Sequence, residues 1–201
     1  MDRQAHWNAT YTQKSETQVS WFQEVPARSL AMIEAARPAG SVIDVGGGAS
    51  RLVDALLQAG DRDIAVLDIS EAALDFARTR LGARAAAVRW TCADITQWKP
   101  DRQWDIWHDR AVFHFLTEEP AQDAYIAALT VATRPGSAVI MAMFAPSGPE
   151  RCSGLPVQRY SPADLARRLG QAFALYDEAV EKHVTPWGAA QDFAYAALRR
   201  M

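Results

Sequence analysis

The chain has 201 residues, 49% of them hydrophobic, with a formal net charge of −3. That length suits one domain with a sizeable core, and the mild acidity excludes a broad electrostatic case for nucleic acid or an anionic membrane as partner. No run approaches the roughly 20 apolar residues of a membrane span, and the opening Met1-Asp2-Arg3-Gln4 lacks an apolar signal core, so a cytoplasmic location is expected.

Residues 1–25 are polar with scattered aromatics: His6, Trp7, Tyr11, Trp21 and Phe22. Pro26 opens a helix with Leu30, Ile33 and Ala36 at helical spacing. A first strand over residues 41–45 runs into Gly46-Gly47-Gly48. Leu52, Val53, Leu56 and Leu57 then mark a helix that Gly60 stops. A second strand over 64–67 ends at Asp68. Ser70 caps the next helix, in which Leu74, Ala77 and Leu81 share a face, and Gly82 ends it. A third strand is expected over 86–91, leading to Cys92-Ala93-Asp94-Ile95, with Cys92 buried. A fourth follows over 104–108. Thr117 and Pro120 begin a helix reaching about Thr133, and Arg134-Pro135-Gly136 turns into a fifth strand over 138–144. The loop 145–160 is too long for a mere connector. Ser161-Pro162-Ala163-Asp164 starts a further helix that Gly170 closes. Residues 173–184 and 191–198 are extended around Thr185-Pro186-Trp187-Gly188, the pattern of a hairpin.

Strands alternating with helices predict one α/β domain over residues 1–201, a doubly wound, mostly parallel Rossmann-like sheet. The terminal hairpin adds an antiparallel strand. A strand, a glycine turn and a helix N-terminus make a nucleotide site, because glycines let a ligand approach the backbone. The carboxylate of Asp68, at the end of the second strand, suits both hydroxyls of a ribose. The cofactor is therefore of adenosine type. A dinucleotide fingerprint needs glycines at the first, third and sixth positions. Counting from Gly46, the third is Gly48 but the sixth is Arg51.

The tighter pattern of Asp44, Gly46 and Gly48, with Ser50 in the third small position, resembles the first motif of the class I S-adenosylmethionine-dependent methyltransferases. Asp94-Ile95, the fourth strand, Arg134-Pro135-Gly136 and the terminal hairpin follow in that family's order, across roughly residues 21–198. The resemblance implies S-adenosyl-L-methionine as cofactor. It implies contacts from Asp44, Gly46 and Gly48, from Asp68 with Ile69, and from Asp94 and Ile95 at the adenine. It also implies that residues 1–25 fold over the cofactor. There Trp21 either faces the sulfonium, worth roughly 0.5–2 kcal/mol, or simply packs on the first helix.

Methyl transfer from a sulfonium is an in-line displacement that needs alignment and exclusion of water, and a base only when the acceptor keeps its proton. His108-Asp109-Arg110 follows the fourth strand at the ligand edge of the sheet. His108 or Asp109 is the candidate proton acceptor and Arg110 the candidate fork for an anionic acceptor; the alternative is a structural ion-pair cluster. His114 reads as a packed histidine, and Glu181-Lys182-His183 as a solvated strand face. Arg110 and the loop 145–160, with Arg151, Ser153, Arg159 and Tyr160, are expected to face the transferred methyl. No metal site is expected. Cys92 and Cys152 form no paired motif and read as reduced thiols. The expected acceptor is a small molecule. The rivals are protein lysine methylation, suggested by Trp7 with Tyr11, a non-catalytic cofactor-binding subunit, and a nicotinamide oxidoreductase.

Overall fold

The structure, a computed structural model, describes residues 2–36, 40–61 and 63–201. The described residues form a seven-stranded sheet in the order β3-β2-β1-β4-β5-β9-β8 and a two-stranded β6-β7 ribbon. The strands are β1 (Val42–Val45), β2 (Ile64–Asp68), β3 (Val88–Cys92), β4 (Trp104–Arg110), β5 (Thr133–Phe144), β6 (Arg151–Cys152), β7 (Leu155–Pro156), β8 (Phe173–Val184) and β9 (Ala190–Arg200). β1 to β5 pair in parallel, while β9 runs antiparallel to both β5 and β8. The doubly wound sheet and its antiparallel hairpin are thus both present.

Period-two alternation splits each buried strand between two cores. One core joins Ile43, Val45, Trp107, Val139 and Met141 to α5 (Glu119–Ala132) and α6 (Pro162–Leu169). The other joins Val42, Ile106, Ile140 and Tyr195 to α2 (Ala27–Ala36), α3 (Leu52–Ala59) and α4 (Glu71–Leu81). Asp44, His108 and Arg110 therefore project on the α2 face, whereas Asp109 projects toward α5. The expected caps form: Ser70 accepts from the Ala73 amide, Ser161 from the Asp164 amide, and Gly60 takes a left-handed conformation after α3.

Several boundaries and one burial differ from expectation: β4 runs on to Arg110, and β5 begins at Thr133 and takes in Arg134-Pro135-Gly136. Residues 3–13 form α1 (Arg3–Gln13), although only Thr10 and Tyr11 of that helix are buried. So little apolar periodicity gives no helical signal in the sequence. Ala86 and Ala87 belong to a 3₁₀ segment, Gly82–Ala87, so β3 starts at Val88. The helix placed at Thr117 begins at Glu119, with Pro120 in its first turn. Cys92 is exposed rather than buried, because β3 is the last strand at its edge of the sheet.

The N-terminal segment is clasped to the domain through charge. Glu16 accepts from Arg51 at 2.8 Å and from Arg80, while Arg80 also binds Asp54 at 2.6 Å. These side chains are largely shielded, so the clasp is worth more than a surface pair. Glu16→Ala is expected to raise hydrogen–deuterium exchange in α1 by about tenfold, or about 1.4 kcal/mol, while leaving the β-sheet amides protected. Unchanged protection of α1 would show that the aromatic contacts alone hold it.

Candidate active site

Two adjoining clefts open at the carboxyl ends of β1, β2 and β4, beneath residues 3–23. The larger, about 760 Å³, is lined by Asp68, Ile69, Asp94 and Ile95 and by Trp7, Trp21, Phe115 and Cys152. The smaller, about 560 Å³, is lined by Asp44, Gly47, Ser29, His108 and Glu16. Tyr11, Trp21, Gly46 and Arg110 line both.

The glycine turn is shaped by two carboxylates. A Cβ on Gly47 would collide with the Asp44 carboxylate. A Cβ on Gly48 would sit 2.5 Å from Asp68 Oδ2 and 2.6 Å from Ala73 Cβ. Gly46 has φ +70, a conformation that favours glycine. Gly47, outside the alternate-glycine motif, is thus as constrained as its neighbours. The sequence showed it only as the middle of a triple glycine.

Asp68 is buried, yet it borders the larger cleft. The Gly48 amide donates to its Oδ2 at 3.0 Å and the Ser70 amide to its Oδ1 at 2.8 Å. Burial pushes its pKa up to about 6, against the pull of those two amides. Asp94 is anchored by the Thr96 amide at 2.9 Å and the Thr96 hydroxyl at 2.7 Å. Ile69 and Ile95 flank it as apolar walls. In the smaller cleft, Asp44 Oδ1 is bonded to His108 Nδ1 at 2.7 Å. Asp44 Oδ2 is buried without a partner among the described residues.

His108-Asp109-Arg110 divides by strand parity. His108 is buried between Asp44 and Ser29, whose Oγ lies 2.9 Å from Nε2. Asp109 lies on the other face, accepting from the Val112 amide at 2.8 Å, the Phe113 amide at 3.1 Å and the Tyr125 hydroxyl at 2.5 Å. Burial pushes its pKa up to about 6 as well. Neither side chain lines the larger cleft: His108 borders the smaller one, and both belong to buried polar networks. Arg110 does reach the clefts. Its Nε donates to Tyr195 Oη at 3.2 Å and its Nη1 to the Trp21 carbonyl at 2.9 Å, while its Nη2, buried without a hydrogen-bond partner among the described residues, lies 4.0 Å from Glu181 Oε1.

The loop 145–160 contributes less than expected. Arg159 is tied to Glu150 at 3.0 Å and to the Pro146 carbonyl at 3.0 Å, Arg151 donates to the Gly154 carbonyl, and Tyr160 is packed against Phe113. Only Cys152 of this loop lines the larger cleft, and burial pushes its thiol up to about 11. His183 is not on a solvated face: it is buried, with Nε2 2.6 Å from the Ser20 carbonyl. His114 is packed as expected, its pKa lowered by burial to about 3.

The aromatic wall is continuous. Trp7 meets Trp21 edge-on at 5.7 Å and Phe115 at 5.0 Å, and Trp21 Nε1 donates to Tyr11 Oη at 3.2 Å. Trp21 thus both packs and faces the cleft.

Residues 42–136 match the family model described as a methyltransferase domain. No curated protein matches the sequence significantly. Among solved structures, one from a study of the conversion of a disulfide bond into a thioacetal group during echinomycin biosynthesis is similar at 21% identity. Its TM-score is 0.78, over 98% of this chain and 92% of that one. An S-adenosylmethionine-dependent methyltransferase from Anabaena variabilis ATCC 29413 is similar at 14% identity and TM-score 0.75, over 100% and 96% of the two chains. The N-methyltransferase NodS from Bradyrhizobium japonicum WM9 is similar at 16% identity and TM-score 0.70, over 100% and 99%. At such identities the likeness establishes the fold. With the methyltransferase-domain match running from β1 to the start of β5, the chain carries a methyltransferase domain within a fold shared with S-adenosylmethionine-dependent methyltransferases.

Proposed function

We propose that this methyltransferase acts on a small-molecule acceptor, held against the Trp7–Trp21–Phe115 wall of the larger cleft. The observation that carries the reading is the lining of that cleft, which combines the anchored carboxylates Asp68 and Asp94 with the contiguous aromatic group of Trp7, Trp21 and Phe115. S-adenosylmethionine supplies a methyl group on a sulfonium, with a neutral thioether as leaving group.

The chain's own residues suit that cofactor. Asp68, preset by two amides, keeps lone pairs for the ribose hydroxyls. Asp94, Ile69 and Ile95 surround the adenine. Asp44 Oδ2, buried without a hydrogen-bond partner among the described residues, takes the ammonium of the amino-acid end, and Arg110, ion-paired with Glu181 at 4.0 Å, takes its carboxylate. This assignment moves Arg110 from the acceptor to the cofactor. The electron-rich faces of Trp7 and Trp21 favour the sulfonium and exclude water.

Proton transfer is left to the acceptor. Among the described residues of the larger cleft, Tyr11 and Cys152 keep their protons because burial raises both pKa values. Asp68 and Asp94 are committed to the adenosine end. An acceptor with a free lone pair at neutral pH, a weakly basic amine or a thioether or disulfide sulfur, suits this lining. The chemistry named for two structural neighbours, N-methylation and a disulfide-to-thioacetal conversion, accords with that class. We further place the protein in the cytoplasm, on its two free cysteines; no described helix is long and apolar enough to cross a membrane.

Calorimetry is the first test. S-adenosylmethionine and its demethylated product should bind with similar Kd, on the order of micromolar, or about −8 kcal/mol, and nicotinamide dinucleotides should not. Tight dinucleotide binding would sink the cofactor assignment. A panel of small amines, thiols and disulfides should then release S-adenosylhomocysteine. Turnover restricted to lysine peptides would replace the small-molecule reading.

A further inference from the structure

β8 closes one edge of the seven-stranded sheet, and no described strand pairs with its outer side. Of the seven large hydrophobic side chains exposed among the described residues, Tyr176, Val180 and Val184 lie on β8 and Trp187 at the tip of its hairpin. Val180 is 68% exposed and Val184 59%. Met201, also exposed, donates its N–H to the Ala172 carbonyl at 2.9 Å, beside the other end of the strand. Exposed apolar surface is thus gathered along one edge rather than scattered, and a gathered patch marks a contact surface.

The backbone of this edge is free to pair. The Thr185 N–H bonds to the Ala189 carbonyl at 2.8 Å, which turns the odd-numbered residues of β8 toward β9. Glu178, Val180, Lys182 and Val184 therefore aim their N–H and C=O groups away from the sheet. At Glu178 the outward N–H is met by a side chain of its own strand, Asp177 Oδ1, at 2.9 Å. Edge strands are commonly guarded by a bulge or a lysine. Here the irregularity lies at Leu175–Asp177, and the register with β9 is regular from Asp177 to Val184.

The charges of the edge are self-complementary. Glu178 and Lys182 lie two positions on either side of Val180, on one face of the strand. Both are exposed, and neither makes an ion pair among the described residues, although Asp192 of β9 stands beside Lys182. A second β8, antiparallel about a dyad at Val180, brings Val180 against its own copy and Glu178 against Lys182, twice. On the other face Ala179 meets Glu181 and Asp177 meets His183. Moving the dyad by one residue sets Glu181 against itself or Asp177 against Glu181. Moving it by two sets Lys182 or Glu178 against itself. Like charges directly opposite disfavour pairing, so charge selects the register centred on Val180.

We propose that β8 is a homodimer interface, through which two copies of this chain join edge to edge, antiparallel about Val180, into one continuous sheet. The contact is isologous and closed, so it ends at two copies. A single strand pair covers less area than a standard interface, and the dimer is weak, with a Kd on the order of 10–100 μM.

Sedimentation equilibrium on the full chain, up to about 300 μM and so above that Kd, is expected to show reversible monomer and dimer. Glu178→Lys and Lys182→Glu should each weaken association at least about tenfold, by setting like charges opposite. An equimolar mixture of the two variants should dimerise again, because each lysine then faces a glutamate. Both changes in one chain should restore association for the same reason. Wild type that stays monomeric would assign the apolar edge to another partner and overturn the proposal. Single variants that associate as wild type does, a mixture no tighter than its components, or open-ended assembly would also overturn it. Circular dichroism checks the fold of each variant. If Lys182→Glu, beside Asp192, does not fold, the result for Glu178→Lys decides alone.

Discussion

Asparagine in place of Asp68 is expected to weaken S-adenosylmethionine binding by about 10–100-fold, or about 1.4–2.7 kcal/mol. Asparagine keeps one oxygen for the Gly48 or Ser70 amide, so the turn survives. It loses the second acceptor and the charge that would receive two ribose hydroxyls. Wild-type binding carries a pH signature of the same origin. Burial raises the Asp68 pKa to about 6 in the unliganded protein. Hydroxyl donors favour the ionised form, so binding should strengthen as pH rises through 6 and release a proton near that pH. Stability without cofactor has the opposite sign. The folded-state pKa lies above the ordinary carboxylate value, so Asp68 favours the folded state most at low pH, and that contribution is lost as pH rises from about 4 to about 6. Asp109 acts in the same direction. His114, lowered to about 3, opposes both, losing its contribution as pH falls below its usual 6.5. Affinity in Asp68→Asn equal to wild type, with no proton release in either, would remove Asp68 from the ribose site.

Asp109→Asn is expected to act on stability first. The carboxylate accepts from Val112, Phe113 and Tyr125 in a buried site. An asparagine turns its amide donor toward one of those donors and leaves a buried polar group unsatisfied, at a cost of about 2–4 kcal/mol. For a chain of this size that lowers Tm by roughly 5–15 °C. Scanning calorimetry of both proteins, with cofactor titration well below the lower Tm, separates the roles. Near-wild-type cofactor affinity with a depressed Tm is the expected pair of results. An unchanged Tm with turnover lost would return Asp109 to the reacting centre.

Signals along the chain were good guides wherever one residue type had one structural use. Gly60, Ser70, the Ser161-Pro162 pair and the Thr185-Gly188 turn punctuated the sequence where elements begin and end. Apolar runs such as Ile64–Asp68 could only be buried strands. Signals failed where the meaning of a residue depended on a partner far along the chain. α1 is held by aromatic contacts to Trp21 and Phe115 and by the Glu16 clasp, so its own sequence shows no apolar stripe. His108 and Asp109 are adjacent and polar, but strand pleating sends them to opposite faces. The pairing of His108 with Asp44 appears only once β1 and β4 are set side by side. Ser29, one serine in an ordinary helix, carries no mark of its bond to His108. The arginines of the loop 145–160 looked available because their carbonyl and carboxylate partners within the same loop cannot be read from spacing.

The position of β9 also dictates an order of folding. β9 follows β8 in sequence but lies between β5 and β8 in space. It pairs with β5 from Ala138↔Arg199 to Phe144↔Phe193. While a nascent chain lengthens, β5 has an apolar open edge and the helices on both faces lack Tyr195, Ala197 and Leu198. Closure waits for a contact between segments far apart in sequence, which is entropically slow. In that interval the Val139–Phe144 stretch is an unpaired, buried-type strand, the kind of edge that recruits other chains. The residues that finish the sheet therefore also end its exposure to aggregation.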